Sequence, residues 1–196
     1  PLSGTYFVVA HFHMVMGVAP LLVIFGGIYH WYPKVTGRML DDRLGHIHFW
    51  VTFVGTYLIF FPMHYLGVLG MPRRYHHFEG YAFIPPSAHL LNEMITVMAL
   101  VVATAQFIFI FNLAWSLKYG RAAGPNPWRA ASLEWQTPQT PPVHGNWGEK
   151  LPVVYRWAYA YGANGGPHDY IAQNAPPEAG GIEPDHRGHE GKGVTA

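Results

Sequence analysis

Two groups of residues in this chain have the types and spacing for chemistry. One is the pair His11 and His13 in VVAHFHMVMG; the other is Arg73 and Arg74 in GMPRRY. Neutral imidazole is a common metal ligand. Histidines that share one ion on a single helix sit four residues apart. A spacing of two turns the second side chain about 200° from the first, because each helical residue advances about 100°. His11 and His13 therefore point to nearly opposite sides and suit two separate centres, with Phe12 between them in sequence. The competing reading is two buried histidines bonded to neighbouring helices or to water. Adjacent guanidiniums, for their part, can make bidentate charge-assisted bonds to carboxylates, or can simply sit at a water interface.

The elements that must position these groups follow from where charge is missing. Only 12% of the 196 residues are charged and 50% are hydrophobic. Residues 1–33, 44–72 and 94–117 contain no Asp, Glu, Lys or Arg. An apolar run of about 20 residues is long enough to cross a bilayer as a helix. Three spans are expected, at about residues 6–31, 44–69 and 89–117, within a membrane domain of residues 1–119. The fold class is all-α, a polytopic membrane helix bundle with an irregular polar C-terminal tail. Intramembrane ionisable groups are costly and usually functional, which favours ligation at His11 and His13. Haem iron accepts axial imidazole, and haem suits an apolar bundle, so two haems bracketing one helix is the sharpest reading. Pro20 removes a helix bond to Met16 and is expected to bend the first span.

The net charge of +1 and the absence of a basic stripe argue against a nucleic-acid partner. With no cysteine there is no thiolate site. Lys34, Arg38 and Arg43 follow the first span and Lys118, Arg121 and Arg129 follow the third, so counting basic residues puts the C-terminus in the cytoplasm. Beyond about residue 120, Pro- and Gly-rich stretches such as QTPQTPPVHG predict an extended cytoplasmic segment over 120–160 and a disordered tail over 161–196. His30, His46 and His48 read as interfacial, and His64 and Met63 as packing groups. Glu93 reads as a solvated end-of-helix carboxylate, and His76, His77, His168, His186 and His189 as exposed. Pro1 and the lack of a signal peptide pattern suggest a piece that starts inside a larger polytopic protein.

GTYFVVAHFHMVMG, GRMLDDRLGHIHFW, FFPMHYLGVLGMPRRY and LEWQTPQTPPVHGNW together resemble the C-terminal part of subunit I of the haem–copper cytochrome c oxidases, in order and up to about residue 147. The last fifty or so residues are expected to have no counterpart in that family. The resemblance implies that His11 binds the iron of the high-spin, catalytic haem and that His13 binds the iron of the low-spin haem. It places Phe12 between the two haems and Arg73 and Arg74 on haem propionates. Two haems, expected to be a-type, are implied. The copper ion of the parent subunit would take its histidines from outside this chain. Many family members carry a magnesium-binding His-Asp just before TYF; Ser3 and Gly4 stand there instead, which puts that site in doubt.

The function so implied is reduction of oxygen to water with electrons from cytochrome c, coupled to proton translocation. The partners would be the remainder of subunit I, subunit II with its copper centre, subunit III and membrane lipids. The setting would be the inner (plasma) membrane of a bacterium. A nitric oxide reductase-like paralogue on the same scaffold is the alternative enzyme, kept open by Ser3 and Gly4. A non-catalytic scaffold subunit is the alternative outside catalysis, and the retained His11, His13, Arg73 and Arg74 argue against it.

Overall fold

The computed structural model describes residues 2–76, 81–137, 146–147, 150–159 and 171–176. His77, His168, His186, His189 and most of the expected tail lie outside the described residues. Among the described residues the regular structure is entirely helical, and three helices are long and apolar enough to cross a membrane: Tyr6–Thr36, Asp42–Val68 and Pro86–Tyr119. The protein is a multi-pass membrane protein. Each helix starts on a recognisable signal. Thr5 accepts a bond from the Phe7 amide (3.2 Å) and Asp41 from the Leu44 amide (3.0 Å), as N-caps do. Pro86, at the first position of the third helix, has no N–H to leave unpaired.

Two of the ends depend on glycine in the left-handed region. The first helix continues through Pro33 to Thr36, beyond the expected end near residue 31. It stops at Gly37 (φ 70°), whose amide donates to Pro33 O at 2.9 Å. Proline disrupts only the bond to the carbonyl four residues back, so Pro33 is tolerated in the last turns and the glycine sets the boundary. The second helix ends in a Schellman turn. Gly70 (φ 91°) donates to Gly67 O and Met71 to Leu66 O, at 3.1 and 3.0 Å. Leu66 and Met71, the apolar pair of that turn, are completely buried.

Packing within the unit formed by residues 1–32 and 38–121 is uneven along the spans. The core cluster of Ile59, Leu66, Met71, Ile84, Ala88 and Ile95 joins the second span to the third. Gly55 lets Val102 of the third span approach closely, and Gly67 does the same for the backbone of Phe7, where an added Cβ would lie 2.6 Å from Phe7 Cα. Farther along the first span the gap is filled by rings instead. Phe25 meets His48 and Phe109 at 4.8 and 4.9 Å, and Tyr29 meets Phe109 at 5.6 Å.

The other unit comprises residues 33–37 and 122–196. In it Lys34, 7% exposed, donates to Thr137 Oγ1 and lies 5.7 Å over the ring of Trp135, itself 1% exposed. Among its described residues beyond 121, Leu133–Trp135 form a 3₁₀ turn. Residues 171–176, expected within a disordered tail, are held in place. The Gln173 amide donates to Ala131 O at 2.9 Å, its Oε1 accepts from Leu133, and the Tyr155 amide donates to Gln173 O at 2.8 Å. One amide side chain and its backbone thus join three distant segments, a pairing that composition does not encode.

Gly67→Ala is expected to destabilise the fold by about 1–3 kcal/mol through overpacking against Phe7. Gly26→Ala, where an added Cβ meets nothing within 4 Å, is expected to be neutral or slightly stabilising. Thermal unfolding of the two purified variants, side by side, checks the contrast.

Candidate metal-ligand site

The helix changes its winding at the histidine pair. Residues Tyr6–Phe12 are α-helical and residues His13–Val18 form a π-helical stretch. Pro20 lies just beyond, and its missing amide and ring volume disfavour an ordinary α-turn over Met16. The wider winding accommodates it locally. Such π-turns often occur at functional sites.

His13 is held from two directions. Its Nδ1 lies 2.7 Å from Val9 O, and its ring stacks on Phe60 of the second span at 5.0 Å and 10°. A carbonyl oxygen only accepts, so Nδ1 carries the proton and the Nε2 lone pair is left for another partner. A carbonyl bonded to the other ring nitrogen is what orients metal-binding histidines. His11 is exposed, so the two imidazoles are differently placed: His13 against the second span, His11 away from the packed interior. Phe12, 54% exposed, meets the edge of the His13 ring at 5.6 Å. Neutral imidazoles on an apolar helix fit haem iron as axial ligands.

The arginine pair is tied to the same end of the first span by backbone. Tyr6 N donates to Met71 O at 2.9 Å and Arg73 N to Gly4 O at 3.0 Å, with a bridge between Thr5 and Pro72. His11 follows Tyr6 by five residues, or ~7.5 Å of helical rise. Arg74 adopts φ 58°, a conformation that side-chain-bearing residues leave unless held; it is exposed, while Arg73 is half-buried. The side chains of Tyr6 and Tyr75 add a further tie, with Tyr6 OH donating to Tyr75 OH at 2.8 Å.

His48 departs from its expected interfacial position. It is 1% exposed because it lies nearly two turns inside the second helix. Gln106 donates through Nε2 to Thr52 Oγ1 (3.1 Å) and Val102 O (2.9 Å), so its Oε1 is the acceptor for His48 Nε2–H at 3.1 Å. His48 Nδ1 then accepts from Tyr29 OH at 3.4 Å, and the ring stacks on Phe109. A neutral imidazole satisfies the whole network. The signal in sequence was an amide side chain, Gln106, in the middle of a charge-free run. His46 is exposed, with Nδ1 2.8 Å from Asp42 O, and Glu93 and His76 are exposed as expected. His64 packs its ring edge against Phe7 at 5.1 Å. Among the described residues no three His, Asp or Glu side chains gather into a metal cluster.

Comparison with known proteins gives the same family from several directions. The family model for cytochrome C and quinol oxidase polypeptide I matches residues 1–118. The chain is 67% identical over 183 residues to an alternative cytochrome c oxidase subunit 1 of Bradyrhizobium diazoefficiens, covering 93% of this chain and 31% of that protein. It is 46% identical over 161 residues to cytochrome c oxidase subunit 1 of Thermostichus vulcanus, covering 82% of this chain and 28% of that one. The chain thus spans about three tenths of the length of these relatives. A match over 183 residues cannot end at residue 147, so part of the chain beyond the last of the quoted motifs also has a counterpart in the Bradyrhizobium protein.

Gln106→Leu is expected to cost about 1–3 kcal/mol by leaving the buried His48 Nε2–H unsatisfied. Combining it with His48→Phe should cost less than the sum of the single changes, since the two residues share one bond. A double-mutant cycle on thermal unfolding reads the coupling.

Proposed function

The chain belongs to the cytochrome c and quinol oxidase polypeptide I family, and from that premise we propose that it is the haem-holding C-terminal part of the catalytic subunit of a terminal oxidase. That enzyme reduces oxygen to water with electrons from cytochrome c and couples the reaction to proton translocation. The remainder of subunit I, including the copper ligands, subunit II with its copper centre and subunit III complete it. We place it in the inner membrane of a bacterium with the C-terminus in the cytoplasm. The name carried by the Bradyrhizobium relative favours oxygen over nitric oxide as substrate.

The observation that carries this reading is the treatment of the two histidines. His13 has its Nδ1 proton committed to Val9 O and its ring clamped on Phe60, so that Nε2 is presented in one orientation. In this proposal His13 ligates the iron of a low-spin haem and His11 the iron of a high-spin haem on the other flank. When bound, the haems supply the electron relay and the centre at which oxygen is reduced. The Val9 carbonyl keeps His13 in one tautomer and strengthens it as a donor. Phe60 restricts rotation of the ring, so the ligand is pre-positioned. Phe12 provides an apolar ring between the two imidazoles. Arg73 and Arg74, tied by the Gly4 and Met71 bonds to the same helix end, would hold the haem carboxylates and favour their ionised form. Their bidentate geometry suits propionates better than lysine would.

His11→Ala in the whole subunit is expected to abolish oxygen consumption and disturb the high-spin haem while leaving the low-spin absorption band. His13→Ala should chiefly remove the low-spin band. Optical spectra with oxygen- and nitric-oxide-uptake assays on the purified complex test both the split and the substrate. Loss of both bands in each assembled variant would sink the division of labour, and uptake of nitric oxide without oxygen would sink the oxidase reading.

A further inference from the structure

A cavity of about 200 Å³ opens where the third span ends beside the start of the second, lined by residues that include Asp41, Asp42, Trp115, Tyr119 and Arg121. Its walls are built from the backbone. Met39 N donates to Arg121 O at 2.8 Å, and an Arg38 guanidinium nitrogen donates to Gly120 O at 3.0 Å. Asn112 completes the frame, accepting from the Asp41 amide and donating to Asp41 O, both at 3.0 Å. Ser116, which also lines the cavity, and Asn112 are buried and bonded to each other at 3.1 Å. The cavity is therefore fixed in shape, and it is smaller than the roughly 300–1,000 Å³ pockets of drug-sized ligands. It suits a small polar group.

The cavity also carries both signs of charge. Asp41 and Asp42 contribute carboxylates and Arg121 a guanidinium, all three exposed. One Asp41 oxygen already caps the second helix through Leu44, whereas no bond to another described residue engages the Asp42 carboxylate or the Arg121 guanidinium. An anion alone would meet two carboxylates, and a cation alone would meet the guanidinium. A zwitterion with an ammonium and a phosphate meets complementary charge at both ends, and guanidinium matches phosphate geometry.

A ladder of exposed rings leads to this site along a membrane-crossing helix. Phe111 stacks on Trp115 at 5.6 Å and Trp115 lies 4.3 Å from Tyr119; the three are 53%, 47% and 59% exposed. Trp and Tyr at a span end sit at headgroup level, and the ladder offers an apolar track for an acyl chain below. We infer that this corner is a binding site for a zwitterionic phospholipid. Asp42, with Asp41, takes the ammonium, Arg121 takes the phosphate and the Phe111–Trp115–Tyr119 face takes a chain. It stands apart from the histidine pair and does not depend on the proposed enzymatic activity.

Native mass spectrometry of the intact complex tests the assignment. The complex is released from mixed micelles containing dioleoyl phosphatidylethanolamine, phosphatidylcholine or phosphatidylglycerol. Wild type is expected to retain a zwitterionic lipid in preference to phosphatidylglycerol by roughly tenfold, the scale of one charge-assisted bond. Asp42→Asn should lose most of that preference, whereas Arg121→Gln, which removes the partner of the phosphate common to all three lipids, should lower the retention of each; both should leave the visible spectrum unchanged. Asp42→Lys, at an exposed position that does not threaten folding, should turn the preference toward phosphatidylglycerol. Equal retention of the three lipids, a wild-type preference for phosphatidylglycerol, or an Asp42→Lys complex that binds as wild type does would overturn the proposal.

Discussion

Where Phe7 crosses Gly67, the first and second spans approach closely enough that no side chain fits between them. The geometry of the candidate site depends on that approach. The first amides of any helix lack intrahelical partners, and in an apolar surrounding each unsatisfied one is costly. Here the loop that leaves the second span supplies the partner, since Met71 O receives the Tyr6 amide. It can do so only because Gly70 turns the chain through a left-handed conformation immediately after the helix. The same loop then returns Arg73 to Gly4. One local solution to a hydrogen-bonding problem therefore carries the arginine pair to the helix end that precedes the histidines.

Close approach at one place demands spacing elsewhere, because straight helices that touch at one point diverge. Along the rest of the first span the gap is bridged by Phe25, Tyr29 and Phe109 around His48. A ring that can both donate and accept fits this position better than an aliphatic side chain would. His48 links Tyr29 of the first span to Gln106 of the third, and Gln106 passes the network on to Thr52. Each polar atom finds a partner, which is the condition for burying such groups in an apolar bundle. His13 shows the same economy at smaller scale. Its proton is placed on the preceding turn and its ring on Phe60, leaving one nitrogen for ligation.

Much of this was legible in the chain. Runs without charge announced the spans, since a buried charge in a bilayer is prohibitive unless paired. The two-residue spacing of His11 and His13 implied different flanks, since helical geometry alone sets that angle. Other features were hidden. The first span was expected to end near residue 31, yet the helix runs on through Pro33 to Thr36, because proline disturbs only its own turn. His48 looked interfacial because it lies near the inner end of the second span; its true partners lie 19 and 58 residues away. The hold on residues 171–176 depends on Gln173 meeting Ala131 and Leu133, which a Pro- and Gly-rich composition does not announce.

By itself the sequence determined what is local: three membrane helices, their caps, and two imidazoles set at an angle by residue count. Those follow from periodicity and from the cost of charge in hydrocarbon. The tertiary structure alone decided that the His13 ring stacks on Phe60 of the second span, that the arginines reach the first span through Gly4 and Met71, and that Asp42 and Arg121 share one cavity wall. Each of these depends on how closely two distant backbones pass, and that distance is set by the side chains of both partners together.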